Sequence, residues 1–220
     1  MSVRTIVFAI GYVAMASTTL AQQREPIAPF VADVHVTSSG LPVAEGWTPL
    51  VPTNTVLPSR GLGLEIGAHV NVLRARSFAL GVGATWMTAR GSSAPPDPEE
   101  GTTNPATVPD VTTRVTSLAP QLSLNFGHSL GWSYLSAGLG RARVKSEAAL
   151  PSGTTTFTPR DSDWVKTLNF GGGARWFIND HVGIGFDVRW HKLSVVPASS
   201  THPGAGRASL LVAGAGLVLK

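Results

Sequence analysis

Cysteine is absent from all 220 residues. That excludes a disulfide framework, so stability has to come from elsewhere. Charge is scarce as well: 17 Lys and Arg stand against 13 Asp and Glu, and the basic residues nowhere form a run. Without such a run the formal charge of +4 carries no nucleic-acid signal, and no nucleic-acid partner is expected. After the first 21 residues no apolar stretch approaches the ~20 residues that a membrane-spanning helix needs. Helical periodicity is missing there too. What is plentiful is glycine, 24 residues, and proline, 16, among thinly spread apolar side chains.

The first 21 residues, MSVRTIVFAIGYVAMASTTLA, place Arg4 ahead of an apolar run from Ile6 to Ala16 and end in Thr19-Leu20-Ala21. This is the layout of a cleaved secretory signal peptide. The competing reading, an anchoring helix, is disfavoured by the short apolar core and the Ser/Thr-rich end. No cysteine adjoins the cut, so no lipid anchor is expected there.

The remaining chain alternates. In GLGLEIGAHVNVL, residues 61–73, Leu62, Leu64, Ile66, Ala68, Val70 and Val72 share one parity, and Glu65, His69 and Asn71 the other. Successive side chains of a strand point to opposite faces, so each such segment is a two-faced ribbon. The pattern recurs at 29–38, 77–89, 115–127, 164–177 and 182–193. Two further segments, 132–145 and 207–220, are extended but ambiguous. In the first, Leu135 and Leu139 compete with Trp132 and Tyr134 for the apolar face; the second is apolar on both faces. Short connections at 73–76, 128–131 and 178–181 carry turn residues such as Asn179-Asp180. Long connections at 39–59, 90–112, 146–161 and 196–206 hold most of the prolines and read as exposed, flexible loops. Short and long links alternate strictly, as they do when strands run up and down through a slab.

Eight amphipathic antiparallel strands close either as a soluble, ligand-carrying barrel or as a membrane barrel with its apolar face outward. Three features favour the second. The polar faces are small and rich in glycine (Gly63, Gly67, Gly81, Gly83, Gly183, Gly185), which suits a crowded interior better than a solvated exterior. Aromatics fall at two levels: Phe30, Phe78, Phe126 and Trp176 near the short turns, and Trp86, Trp164 and Trp190 near the long loops. Two girdles a strand apart are what the two membrane interfaces select. Most segments also reach the ~9–11 residues of a tilted spanning strand. The expected fold is therefore all-β, an eight-stranded antiparallel up-and-down transmembrane β-barrel with short periplasmic turns and long extracellular loops. Residues 1–21 form the signal peptide, 22–28 a short N-terminal periplasmic segment and 29–220 the barrel.

The string LNFGGGARWFINDHVGIGFDVRW, 168–190, and YLSAGLGRARVK, 134–145, resemble strands of the OmpA-like/OmpX-like family of eight-stranded outer-membrane barrels. The resemblance implies an outer-membrane location, a lipid-bilayer environment and delivery by the outer-membrane insertion machinery. The chain departs from the family in its last residues, GAGLVLK, where Leu219 stands in place of the usual terminal aromatic and Lys220 adds a charge. No peptidoglycan-binding domain is expected after the eighth strand.

Inward parity selects a lumen inventory: Asp33, His35, Glu65, His69, Asn71, Gln121, Asn125, Asn169, Arg175, Asp187, Arg189 and His191. Eight strands enclose a space that side chains can just fill. Ions buried there must pair, so an internal network of ion pairs and hydrogen bonds is expected. The alternative is a narrow channel for ions or small solutes, tuned by the same charges. His35 and His69, expected at comparable heights on adjacent strands with Asp33 and Glu65 nearby, raise a His/carboxylate metal site, but no tight spacing supports it. Neither a metal nor another cofactor is expected. Some barrels of this architecture are enzymes, yet the one adjacent His-Ser pair, His128-Ser129, belongs in a short turn. No catalytic set is assigned, and the chain is not expected to be an enzyme. In the loops, Trp47 is expected to be an exposed aromatic contact point and PPDPEEG an acidic, Pro-rich segment. Both are candidate contacts for an extracellular ligand. The function expected is structural or surface-interacting, with a lumen largely filled by polar side chains.

Overall fold

A computed structural model describes residues 25–94, 108–150, 157–200 and 203–220. The expected signal peptide and the PPDPEEG stretch lie outside the described residues. The strands are β1 (Phe30–Gly40), β2 (Arg60–Arg74), β3 (Phe78–Ser93), β4 (Asp110–His128), β5 (Gly131–Ala149), β6 (Arg160–Asp161), β7 (Val165–Phe177), β8 (Val182–Leu193) and β9 (Ala208–Leu219). Eight of them pair antiparallel with their neighbours around a closed ring, β9 returning to β1 and β4 joining β5. Two-residue β6 lies outside the ring, against β5. Closure leaves no strand edge, which is the condition for putting a sheet in lipid.

Alternation makes these strands, and the register decides which way each one faces. Leu62, Ile66, Val70, Val82, Leu118, Leu122, Ile184 and Leu217 are all exposed on the outer wall, whereas Glu65, His69, Gln121 and Asp187 are buried in the lumen. The two ambiguous segments are settled by their partners. Tyr134 lies opposite Asn125 and Gly173, both inward, so Trp132 and Tyr134 point in and Leu135 and Leu139 point out. On β9, Leu211, Leu217 and Leu219 face out, while Leu210, Val212 and Val218 face in. A bulge between Asn71 and Leu73 leaves both Val72 and Leu73 exposed.

Two strands run further than the sequence pattern indicates. β4 and β5 have 19 residues each and stay paired to Asp110 opposite Ala149. Their upper parts, including Thr112, Arg114, Lys145 and Glu147, lack the apolar alternation that marks a strand in lipid. Backbone pairing continues there because the register is already set by the membrane portion. The hairpin therefore rises beyond the ~9–11 residues that span the bilayer.

The apolar interior has two separate parts. At the loop end, Met87, Val115, Val144, Leu193 and Leu210 turn inward beneath Leu41 and Trp47. At the turn end, Val31, Ala79, Trp132, Phe177 and Val218 gather around Ile27. These apolar groups close a lumen that also holds buried polar side chains along its length, from Asn71 near the turns to Thr113 and Ser146 near the loops.

Candidate functional site

The middle of the lumen is built from inward positions on strands all around the ring. From β1, Asp33 accepts two hydrogen bonds from Arg175 of β7, Nε to Oδ1 at 2.8 Å and Nη2 to Oδ2 at 2.7 Å. These strands are not neighbours, so this pair crosses the barrel. The Arg175 guanidinium lies over the Tyr134 ring, 3.8 Å from its centroid, and Nη1 reaches Asn125 Oδ1 at 3.4 Å. Asn125 donates to Asn71 Oδ1 at 3.2 Å, and Asn71 donates to the Ala28 carbonyl at 2.6 Å. The chain of bonds therefore leads from the ion pair to the segment ahead of β1.

A second cluster sits on β8. Arg189 binds Asp187, two residues away on the same face, at 3.1 and 3.0 Å, and stands 3.9 Å from Glu65 of β2. The Tyr134 hydroxyl donates to Asp187 Oδ2 at 2.7 Å, so one tyrosine touches both ion clusters. A third group joins Gln121 to Thr85 at 2.6 Å and to Asn169 at 3.2 Å. His35, His69 and His191 are buried, and none of their ring nitrogens has a hydrogen-bond partner among the described residues.

All twelve inward polar residues read from the sequence lie buried in the lumen. Their mutual heights differ from expectation in one respect. His35 is opposite Glu65, whereas His69 is opposite Val31, so the two histidines are not level. No group of three or more His, Asp or Glu with metal-holding geometry occurs among the described residues. Tyr134 and Trp132 escaped the sequence reading because their own strand was ambiguous; only the register of β4 and β7 reveals them.

Each end of the lumen is capped. Trp47 was expected on the surface, but it is fully buried, and its Nε1 donates to the Gly206 carbonyl at 2.9 Å. The reason is local. Gly46 holds φ at +83°, and its Cα lies so close to the loop after β8 that a Cβ would collide with the Gly204 carbonyl oxygen. That close approach turns the indole into the mouth. Buried Arg160 ties the same two loops together, Nε donating to the Gly46 carbonyl and Nη2 to that of Pro203. The opposite mouth is filled by Ile27, with Trp132 stacked on Phe177 at 4.8 Å. Lys220 Nζ covers this end, 4.4 Å from the Phe177 ring and 2.6 Å from the Ser129 carbonyl. His128 ends β4 and Ser129 lies in the adjoining turn.

On the outer wall Phe30, Phe78, Trp86, Phe126, Trp164, Trp176 and Trp190 are all exposed. Phe78 packs on Phe126 near the turn end, with centroids 5.6 Å apart.

Above the membrane, Arg143 forms a forked pair with Asp161 of β6, its Nε at 2.8 Å, and Asp161 also accepts the Asp163 amide at 3.0 Å. The Arg143 hydrogen bonds, followed by that amide, hold the Asp161 carboxyl below the usual carboxylate range. A carboxylate depressed on folding stabilises the folded form above its unfolded pKa and loses that contribution as pH falls through the folded one. The β5–β6 contact should accordingly loosen as pH falls below about 4. Amide exchange at residues 160–162 checks this: protection falls on acidification in the wild type and is low and nearly flat with pH in D161N. The pair is about a third exposed, so solvent screening keeps its worth to no more than about 1 kcal/mol.

No family model matches the sequence, and no curated protein is similar to it in sequence. Solved structures are similar in shape. Neisserial surface protein A matches with a TM-score of 0.51 at 14% identity, over 88% of this chain and 97% of that one. Ail, the attachment invasion locus protein of Yersinia pestis, crystallised with the heparin analogue sucrose octasulfate, gives 0.46 at 11% identity, over 88% and 99%. AlkL, an outer-membrane protein studied in DMPC bilayers, gives 0.38 at 14%, over 90% and 92%. The first likeness establishes the fold, that of an eight-stranded outer-membrane β-barrel. With a lipid-facing belt of Leu, Ile, Val and aromatic side chains around that fold, the chain is an outer-membrane protein.

Proposed function

We propose that this barrel is a non-conducting outer-membrane protein whose role is structural or surface-interacting, exercised through its extracellular end. One observation carries the reading: the lumen is blocked three times along its length. Trp47 with its neighbours closes the outer mouth, the Asp33–Arg175 pair and the approach of Arg189 to Glu65 bridge the middle, and Ile27 with Trp132 and Phe177 closes the inner mouth. A water-filled path needs a continuous polar lining, and apolar constrictions dewet. The projecting β4–β5 hairpin and the loops packed over Trp47 supply an ordered outer surface. Contact with an extracellular ligand and delivery by the insertion machinery belong to the same proposal, as does the absence of catalysis.

Refolded protein in planar lipid bilayers tests it. Insertion without steady unit conductance is the expected result. Reproducible single-channel steps from the wild type would establish the narrow-channel reading instead.

A further inference from the structure

We propose that the lipid-facing wall of β5, β7, β8 and β9 binds one phosphorylated, acylated lipid of the outer leaflet. The site is assembled by register. Arg141 lies beside Lys166 across β5 and β7. Ser194, just after β8, continues that level through its amide hydrogen bond to the Lys166 carbonyl. Arg207 directly precedes β9, and Lys192 is paired with Leu168 and Ser209 just below. These four cations surround a concavity of about 1030 Å³. No acidic residue lines it, and none of the four forms an ion pair among the described residues.

Directly beneath, the same strands turn apolar. Phe170 stacks on Trp190 with centroids 5.8 Å apart. Next in register come Leu135, Gly172 and Val188. Gly172, the outward-facing member of the Gly171–Gly173 run, removes side-chain bulk from the wall, leaving a groove of about 770 Å³ between Leu135, Phe170, Phe186 and Trp190. From Leu168 down to Ala174 the strand covers about 20 Å, enough for an extended acyl chain.

The order of chemistry selects the occupant. Cations sit at the extracellular edge of the apolar belt, where headgroups lie, and lipid-facing Lys and Arg at that depth attract anionic headgroups. The barrel's buried acids, Asp33, Glu65 and Asp187, are turned into the lumen, so they do not oppose such a headgroup on this wall. A free phosphate would have no use for the groove, and a zwitterionic lipid none for four unpaired cations. One phosphorylated lipid uses both.

Native mass spectrometry of the detergent-refolded chain, titrated separately with lipid A, phosphatidylcholine and inorganic phosphate, tests this. The wild type is expected to retain a single lipid A at concentrations where phosphatidylcholine leaves no adduct. The variant R141Q/K166Q/K192Q/R207Q should weaken that retention by at least about tenfold. The variant R60Q/R90Q/R114Q, on the opposite wall, should change it less than about twofold. Equal loss in both variants would overturn the proposal in favour of general surface charge. Equal retention of phosphatidylcholine would reduce the site to an apolar groove, and displacement of lipid A by inorganic phosphate would reduce it to an adventitious ion site. Heat-modifiable gel mobility confirms folding of each variant. K192Q/R207Q, which keeps two cations, serves if the fourfold change does not refold, and a loss under about twofold in it would also count against the site.

Discussion

Asp33→Asn lowers the unfolding free energy of the barrel by about 3–5 kcal/mol. The substitution preserves shape but removes the charge that Arg175 faces. Arg175 is 2% exposed, and its forked bond to Asp33 spans the lumen between strands that are not neighbours. In the variant, a full positive charge stays buried among Tyr134, Trp132 and Asn125, and the new amide replaces one of the two acceptor oxygens with an NH2 that faces a group with only donors. Equilibrium unfolding in urea from lipid vesicles measures the loss. The double variant D33L/R175M supplies the control. Removing both partners together leaves no stranded ion, so it should recover most of the stability. A cost below about 1 kcal/mol for D33N would mean that water screens the pair, and the blocked-lumen reading would lose its middle barrier.

Trp47→Ala is the second large effect, a loss of about 3–5 kcal/mol if the cap is as tightly packed as a core. The indole is the largest side chain in the outer plug, and it links the loop after β1 to the loop after β8 through Gly206. Its removal exposes Leu41, Leu210 and Met87 beneath and leaves Arg160 holding two loops with nothing between them. The expected signature is specific: faster protease cleavage within 41–59, a lower unfolding midpoint and an unchanged barrel register. Trp47→Phe separates packing from hydrogen bonding, since it keeps a ring but forfeits the bond to Gly206, worth about 1 kcal/mol. Bilayer recordings of W47A should stay silent, because the ion pairs and the Ile27 plug remain. Conductance in W47A would make Trp47 a gate and not one of three barriers.

Alternation over 61–73 or 182–193 is enough to mark a strand and to say which residues share a face, because side-chain parity is a local property with a period of two. The glycine-rich inner faces and the two aromatic levels then turn the apolar face outward, since lipid and water select opposite exteriors. The barrel, its strand count, its alternating short and long links and its buried polar set from Asp33 to His191 were therefore legible in the chain itself. Parity fails where both faces are apolar. On β5 and β9 the orientation came from neighbours: Asn125 and Gly173 turn Tyr134 inward, and that places it against both ion clusters.

Register and loop packing were beyond the sequence, because both depend on contacts between residues far apart in the chain. Nothing near Trp47 signals that Gly206, 159 positions away, will draw it into the mouth, and a tryptophan in a proline-rich segment reads as exposed. Nothing near Asp33 names Arg175 over any other inward cation. The sequence alone determined that this chain is a two-faced sheet closed in a membrane, since that follows from parity and from the need to satisfy every backbone group in lipid. Only the tertiary structure decided which side chains meet inside that sheet, Asp33 with Arg175 and Trp47 with Gly206, because such contacts require residues from separate strands and loops to arrive at one height.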